Sequence, residues 1–424
     1  MTRLLVGVAT VLALSAAGGT AWAQVPPRPL EPPELPELRR APIPPRTLDP
    51  QNLQEPRRAP LTITPSLTVT QEYNDNILLD NDDRRSDFIL GFTPGVTLAL
   101  ESSTYRLLAG YNFTAEIFFK EENEGRNDAF SRHNFDLDGT WRVNPQLTLS
   151  LTDVFAFSSD TNLLAPEGVA TGREEAFSNT LAGSAVYALT RLTSLRGTAS
   201  WTVLRFDDEE IQDSDVYRVG PTLAHAFTPR LSGSVGYEFG YFDIEREERT
   251  VTHTPRLGVI FRATPTITLS LSGGPSVEVR EDSGSRVVPA ISAAYRQRFA
   301  FGAATVAYDR YIGTAGGLGG TTENQTIVGS LEVTRIWRGL SLALTPRYAI
   351  IESDDDLIDV RAFTLALQAT YRINAWATAV ASYQFFQQRS DTVVLTTSGT
   401  SLANDIDQNR VFVGIQVGYP IRFD

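Results

Sequence analysis

The sequence predicts an all-β fold, a transmembrane antiparallel β-barrel of about 18 strands (range about 16 to 20), preceded by a disordered proline-rich segment. Three observations support this prediction. Long segments alternate apolar and polar side chains, short turns and longer acidic loops follow each other in alternation, and the chain ends on an amphipathic strand.

The segment 61–73 illustrates the alternation. Its apolar face carries Leu61, Ile63, Leu67, Val69 and Tyr73, and its other face carries threonines, serine and glutamate. Successive side chains of a strand point to opposite faces, so one face of such a strand suits lipid and the other suits water. The segments 105–120, 266–280 and 361–373 repeat the pattern. Asp153 interrupts the apolar face of its segment, and we expect a bulge or an interfacial position there.

The connections between these segments are of two kinds. Short turns contain Asn144-Pro145, Thr228-Pro229-Arg230, Thr264-Pro265-Thr266, Trp337-Arg338-Gly339 and Asn374-Ala375. Longer polar loops cover 74–86, 121–128, 207–213, 352–356 and 390–407. Aromatic residues flank both kinds, as in the interfacial girdles of membrane barrels, whose periplasmic turns are short and external loops long. A propeller or solenoid also repeats hairpins, but it needs neither girdles nor a terminal barrel strand. No loop is long enough to predict a plug or an inward constriction.

The two ends of the chain agree with export to the outer membrane. Arg3 precedes an apolar run that is shorter than the roughly 20 residues of a spanning helix, and Ala21 and Ala23 form a signal-cleavage site. We therefore predict a signal peptide over 1–23, a proline-rich disordered periplasmic segment over 24–60, and an outer-membrane barrel over 61–424. At the other end, Gly418, Ile421 and Phe423 match a barrel-assembly signal, although Asp424 follows the aromatic residue.

The inward-facing positions carry charges of both signs. They are candidates for lining a pore, where they either brace the wall through ion pairs or select solutes by charge. The candidate pore-lining residues are Arg106, Glu116, Arg142, Arg196, Arg256, Glu278, Arg280, Arg296, Arg347, Arg372 and Arg410.

The residue content predicts no enzyme, cofactor or metal site. The chain has no cysteine, and its histidines, His133, His225 and His253, fall in separate predicted strands. No metal-ligand, nucleophile-elbow or phosphate-loop motif occurs. A Ser–His–Asp group assembled across strands stays possible, since its members need not be close in sequence. A net charge of −13 without a basic stripe argues against a nucleic-acid partner.

The turn Tyr73-Asn74-Asp75-Asn76-Ile77 and the long hairpins after it resemble the outer-membrane β-barrel porins of the "β-barrel porin 2" type, over residues 61–424. This resemblance implies a passive conduit for polysaccharide export that works with a periplasmic export protein. Two alternatives stay open: a general or anionic-solute uptake porin, and a structural or adhesive surface barrel without an open pore. In each case the expected partners are outer-membrane lipid, lipopolysaccharide and the barrel-insertion machinery of a Gram-negative bacterium.

Overall fold

The computed structural model describes residues 61–120, 128–164, 168–281, 284–334, 336–355, 357–391 and 404–423, with only the backbone described for 128–131. The predicted signal peptide, with Ala21 and Ala23, and the proline-rich segment lie outside these residues and stay predictions. None of the described segments forms a helix long and apolar enough to cross a membrane.

Nearly all of the described chain is strand. In order, the strands are β1 (Leu61–Asn74), β2 (Asp87–Glu101), β3 (Tyr105–Phe118), β4 (Asp128–Arg142), β5 (Leu147–Asp160), β6 (Arg173–Ala188), β7 (Thr193–Phe206), β8 (Ser214–Ala226), β9 (Leu231–Ile244), β10 (Thr250–Arg262), β11 (Ile267–Arg280), β12 (Gly284–Phe299), β13 (Gly302–Thr314), β14 (Thr321–Val333), β15 (Leu340–Ser353), β16 (Asp359–Arg372), β17 (Ala377–Ser390), β18 (Ile406–Gly418) and β19 (Ile421–Phe423). A short 3₁₀ helix, Thr161–Leu163, follows β5.

The sheet closes on itself. Each strand pairs antiparallel with its neighbours in sequence, and β1 pairs both with β2 and with β18. The short β19 continues the course of β18 after Tyr419 and Pro420 and pairs with Leu61–Ile63 of β1. Counted this way, the wall is a closed antiparallel barrel of 18 strands, which confirms the fold class predicted from the sequence.

The outer wall is apolar. Large side chains at alternate positions are exposed on the isolated barrel, among them Leu67, Leu151, Val235, Leu257 (70%), Leu271 and Ile415. The intervening positions point inward and are mostly polar, as the buried Thr68, Glu72 and Thr114 show. Such a continuous belt of exposed apolar side chains is costly in water and favourable in a hydrocarbon layer.

Asp153 differs from the expectation. β5 stays in register with both neighbours at this point, with Asp153 opposite Leu137 and Leu181. The bulge lies further along, between Ser158 and Asp160. Asp153 is therefore the seventh of the 14 residues of β5 and shares the outward face with two leucines, without the predicted bulge to turn it away.

The two rims of the barrel differ in how their connections are built. At the short-turn rim, the side-chain oxygen of Asn144 accepts hydrogen bonds from the N–H groups of Gln146 and Leu147, at 2.8 Å each, and Asn374 repeats this arrangement in its own turn. Such side-chain-to-backbone bonds tighten a turn locally. Both ends of the barrel chain also lie at this rim, and the longer connections all leave from the opposite, outer rim.

A candidate constriction inside the barrel

Three connections of the outer rim fold into the barrel. They are the loop 75–86, the loop 161–172 and the tip of the β13–β14 hairpin, 311–320. Their apolar residues are buried: Ile77, Leu79, Leu164, Val169, Ala170, Ala315 and Leu318. The expectation that no loop narrows the lumen is therefore wrong. Loops of this length carry no periodic pattern, so the sequence gives no indication of the direction in which they fold.

The described parts of the loop 161–172, which are 161–164 and 168–172, reach from the ends of β5 and β6 to β17. There the Gln388 side chain of β17 pairs with the backbone of Ala170, accepting from its N–H and donating to its carbonyl, both at 2.9 Å. Gln388 also donates to the Asn404 carbonyl at 3.1 Å. Gln388 is fully buried. A buried amide whose donor and acceptor are both used fixes its partner in one position.

The loop 75–86 packs beside this contact. Leu79 shares an apolar cluster with Ala170, Ala362, Phe386 and Ile406. The loop is fastened to β18, because the Asn76 side chain donates to the Asp407 carbonyl at 3.0 Å and the Gln408 side chain donates to the Asn76 carbonyl at 2.7 Å. These bonds also cap the outer end of the seam between β1 and β18.

The hairpin tip 311–320 enters from a third direction. It carries four glycines with positive φ, Gly316, Gly317, Gly319 and Gly320, a backbone conformation that residues with a Cβ seldom adopt. The Gly317 carbonyl accepts a hydrogen bond from the Gln212 N–H at 2.9 Å. A Cβ at Gly317 would lie 2.4 Å from the Ile211 side chain, so this contact needs a glycine. Ala315 and Leu318 join the cluster of Val169, and the hairpin and the loop 161–172 thus meet inside the barrel.

Arg218 attaches the hairpin to the wall at β8. Its guanidinium lies 5.2 Å from the ring centre of Phe242 and 5.7 Å from that of Tyr311. It donates to the Ile312 carbonyl at 2.6 Å and to Glu238 at 3.2 Å. A cation between two rings with a backbone acceptor holds its partner more firmly than an exposed ion pair does.

An ion network spans the interior near the root of the loop 161–172. Asp160 accepts from Arg132 at 2.8 Å, Arg173 at 2.8 Å and Arg410 at 2.9 Å. Arg410 also pairs with Glu72 at 2.7 Å, and Arg132 with Glu116 at 2.9 Å. The side chains come from β18, β1, β3, β4, β5 and β6, and they are nearly inaccessible to solvent. Three carboxylates face three guanidinium groups, so the network is electrically balanced.

A second ion network lies in the outer half of the barrel, on β11 and β12, away from the first network. Glu278, which is 0% exposed, pairs with Arg280 at 2.9 Å and Arg286 at 2.5 Å. It also accepts from the Thr321 hydroxyl at 2.6 Å, at the start of β14. Arg286 in turn reaches Asp354 beyond β15, at 3.0 Å. This network connects β11 and β12 to the base of the folded hairpin.

The predicted pore-lining residues divide into three levels. Near the outer rim, Glu116, Glu278 and Arg410 are buried and Arg280 is half-buried, and all four belong to the two networks. In the middle, Arg347 is buried and Arg256 approaches Glu238 at 3.5 Å. Near the short-turn rim, Arg196 is half-buried and Arg106, Arg142, Arg296 and Arg372 are exposed, and Arg106 lies 3.6 Å from Glu101.

Several residues of the networks were not among the sequence candidates. Arg132, Asp160, Arg173 and Arg286 complete them. Arg132 and Arg286 occupy inward positions, so the same alternation that selected Arg410 could have found them. That alternation does place Arg218, which anchors the hairpin, on the inward face. Asp160 and Arg173 lie at strand ends next to a loop, where alternation gives little information.

The three histidines lie apart on the outward face. His133 contacts the Tyr111 hydroxyl at 2.9 Å, His225 the Thr193 hydroxyl at 2.9 Å, and His253 the Tyr237 hydroxyl at 2.5 Å. Within the described ranges, no group of three His, Asp or Glu side chains is arranged to hold a metal ion.

The barrel-assembly residues lie at the closing seam. Gly418 pairs with Ser66 of β1 and donates its N–H to the Trp376 carbonyl at 2.9 Å. Ile421 and Phe423 pair with Ile63 and Leu61. Their recognition by the insertion machinery stays a prediction.

No protein-family profile matches the chain, and no curated protein does. Several solved structures are similar in fold. OccAB4 of Acinetobacter baumannii is 11% identical, covering 87% of this chain and 100% of that one, with a TM-score of 0.44. OpdL of Pseudomonas aeruginosa is 12% identical, covering 86% and 99%, with a TM-score of 0.43. OpdK of Pseudomonas aeruginosa, solved with vanillate, is 11% identical, covering 85% and 99%, with a TM-score of 0.43. Similarity at this level carries no argument about function. The chain's own strand pairing identifies its architecture as a closed 18-strand antiparallel β-barrel.

Proposed function

We propose that the protein is an outer-membrane channel for the passive uptake of small anionic solutes. The observation that carries this proposal is the inward folding of the loop 161–172, held by the paired hydrogen bonds between Gln388 and Ala170. Together with the hairpin tip and the loop 75–86, this loop narrows the outer half of the lumen. A passage narrowed in this way favours compact solutes over polymers.

The apolar outer wall supports the location in a membrane. Closure pairs the first strand of a barrel with the last, which is why barrels can span a bilayer; here β1 pairs with β18. The cleavable signal predicted over 1–23 and the closing strand are consistent with an outer membrane, with the short-turn rim in the periplasm.

The charges of the lumen favour anions. Below the two networks, the inward face carries an excess of arginines over carboxylates; the arginines are Arg106, Arg142, Arg196, Arg256, Arg262, Arg296, Arg298, Arg347 and Arg372. The carboxylates there are Glu101, Asp136, Asp138, Glu238, Asp309 and Glu332. Asp136 and Asp138 both project from β4 and Asp309 interacts with Arg256, so cations predominate over the remaining wall. Cationic linings attract and orient anions in narrow pores.

Polysaccharide export, which the family resemblance implies, is the second candidate. It requires a lumen wide enough for a sugar chain along its whole length, and no contact in the described residues favours it. A barrel without an open pore is the third. It would use the ion networks solely to brace the wall.

The three functions are separated by planar-bilayer recordings of the purified barrel. For a channel for small anions, we expect discrete conductance steps, a reversal potential that indicates anion preference in a salt gradient, and block by small organic anions but not by oligosaccharides. Absence of conductance would favour the closed barrel, and cation preference or passage of oligosaccharides would refute the proposal.

A matched pair of variants tests the role of the lining. Arg256→Gln removes an inward cation and should reduce anion preference, because the neighbouring Glu238 keeps its charge. Arg230→Gln removes a cation from an exposed short turn and should leave selectivity unchanged. Equal selectivity in both variants would contradict the assignment of Arg256 to the lining.

A further inference from the structure

The barrel wall is incompletely paired between β12 and β13. β12 pairs with β11 along its length, from Ile267 opposite Gln297 to Arg280 opposite Gly284. Its pairing with β13 runs from Phe299 opposite Gly302 only as far as Ile291 opposite Arg310. The residues of β12 from Gly284 to Ala290 therefore have a strand partner on one side only, within the described part of the wall.

The gap arises because the hairpin leaves the wall. Beyond Arg310, β13 turns inward, and Ile312, which is 2% exposed, packs in the interior against Phe242 and Val288. Arg218 holds the hairpin in that position through the Ile312 carbonyl. β14 stays paired with β15 up to Thr322 opposite Ser353, so the separation is confined to one seam.

The gap has defined borders. The Ile291–Arg310 pair closes it on the side of the short-turn rim, and the Arg286–Asp354 ion pair, 3.0 Å long, bridges it toward the outer rim. One edge is β12 itself, where Pro289 lies opposite Pro275 of β11. Proline has no N–H to donate, so it suits an unpaired strand edge.

The lower half of this gap faces hydrocarbon. The outward positions of β12 from Tyr295 through Ala293, Ile291 and Pro289 to Val287 are apolar, and the polar Ser285 follows. Val287 is 65% exposed on the outer face. On the inner side, Val288 and Ile312 continue the apolar lining into the cluster of Phe242. An unpaired strand edge exposed to lipid is costly, and Val287, Val288 and Ile312 offer apolar contacts from the lipid side to the interior.

We propose that this gap is a lateral port, through which the acyl chain of an outer-leaflet amphiphile enters the wall and reaches the apolar cluster around Ile312. This role is additional to the passage of small anions along the lumen and does not depend on it. The folded hairpin forms the inner side of the port. The occupant is a hydrocarbon chain, because Val287, Val288, Ile312 and Phe242 give it apolar contacts in succession. The ion pair between Arg310 and Glu323, 2.6 Å long, borders this path beside Ile312.

Quenching by lipid tests the port directly. The chain has no cysteine, so Val288→Cys and Ile312→Cys each introduce a single site for a bimane fluorophore. The labelled barrels are reconstituted into vesicles of phospholipids that carry bromine on their acyl chains, because bromine quenches bimane only at short range.

Two further variants calibrate the signal. Leu257→Cys, on the outer face, gives the quenching of full lipid contact. Ser178→Cys is the inward control. Its position along the strand matches that of Val288, since Ser178 is the sixth residue of β6 and Val288 is the fifth of β12. Unlike Val288, Ser178 has strand partners on both sides, Ala156 and Leu204.

We expect a loss of emission at Val288 and Ile312 that approaches the loss at Leu257, and little loss at Ser178. Emission at Val288 and Ile312 as high as at Ser178 would overturn the proposal. Should Ile312→Cys not fold, Val288→Cys decides the result alone, since its side chain also points inward.

Discussion

Asp160 provides the sharpest test of the internal network. Asp160→Asn keeps the size of the side chain but removes its charge. It also replaces one acceptor oxygen by an NH2 group, which cannot accept the hydrogen bonds that the arginines donate. The carboxylate now accepts charge-assisted bonds from Arg132, Arg173 and Arg410 at 2.8, 2.8 and 2.9 Å. The substitution leaves three guanidinium groups facing two carboxylates, Glu72 and Glu116, in a site with almost no access to water.

The expected cost follows from this imbalance. Breaking a buried ion pair by removing one partner costs about 3–5 kcal/mol, because the remaining charge stays buried without compensation. We expect the free energy of unfolding to fall by an amount in that range. The loop 161–172 should also loosen, because Asp160 lies at its root.

The assay is urea unfolding of the refolded barrel in lipid vesicles, followed by the fluorescence of its tryptophans Trp141, Trp201, Trp337 and Trp376. Asp83→Asn is the matched control: it breaks an ion pair with Arg85 of 2.7 Å at the exposed outer rim, and exposed pairs are worth about 0–1 kcal/mol. If Asp160→Asn and Asp83→Asn shift the unfolding midpoint equally, the network does not brace the barrel.

Three further predictions concern the loop, the closing strand and the lipid face. Gln388→Ala removes both hydrogen bonds to the loop 161–172 and should raise single-channel conductance, whereas Gln416→Ala, at an inward position without that contact, should not; unchanged conductance in Gln388→Ala would place the constriction elsewhere. Deleting Phe423 and the residue after it should slow assembly in cells, measured as a lower fraction of heat-modifiable barrel on gels, and normal assembly would show that the signal is not read there. Asp153→Leu should raise the free energy of unfolding in vesicles by about 1–2 kcal/mol, because it removes a charge from the lipid face; a decrease would mean that the hydrogen bond between Asp153 and Asn179 outweighs that cost.

The wall could be predicted from the sequence because it repeats a simple rule. In β1, β3, β11 and β16, side chains alternate between lipid and lumen, and a period of two residues is visible without knowledge of the partners. The closing strand was visible for the same reason. β13 and β17 alternate poorly, and β13 turns out to leave the wall at its outer end.

The constriction could not be predicted because its contacts are distant in sequence. In the sequence, Gln388 is one more polar residue at an inward position. Its neighbours in the sequence do not indicate that its partner is Ala170, 218 residues away. The four glycines between Ala315 and Thr321 are a local signal of an unusual turn, but they do not give its direction. Asp153 shows a different limit. The cost of a charge in lipid predicted a bulge or an interfacial position at Asp153, and the strand forms no bulge there.

The inward loops all come from one rim, and this asymmetry has a consequence for flow. Ions driven from the outer side meet the narrow part first, whereas ions driven from the periplasmic side first collect among the exposed arginines Arg106, Arg142, Arg296 and Arg372. Local enrichment of anions on one side of a constriction makes the current at one voltage polarity larger than the current at the opposite polarity. On the proposed channel function, a barrel built in this way should act as a rectifier, and the sign of its rectification would report which rim faces the electrode.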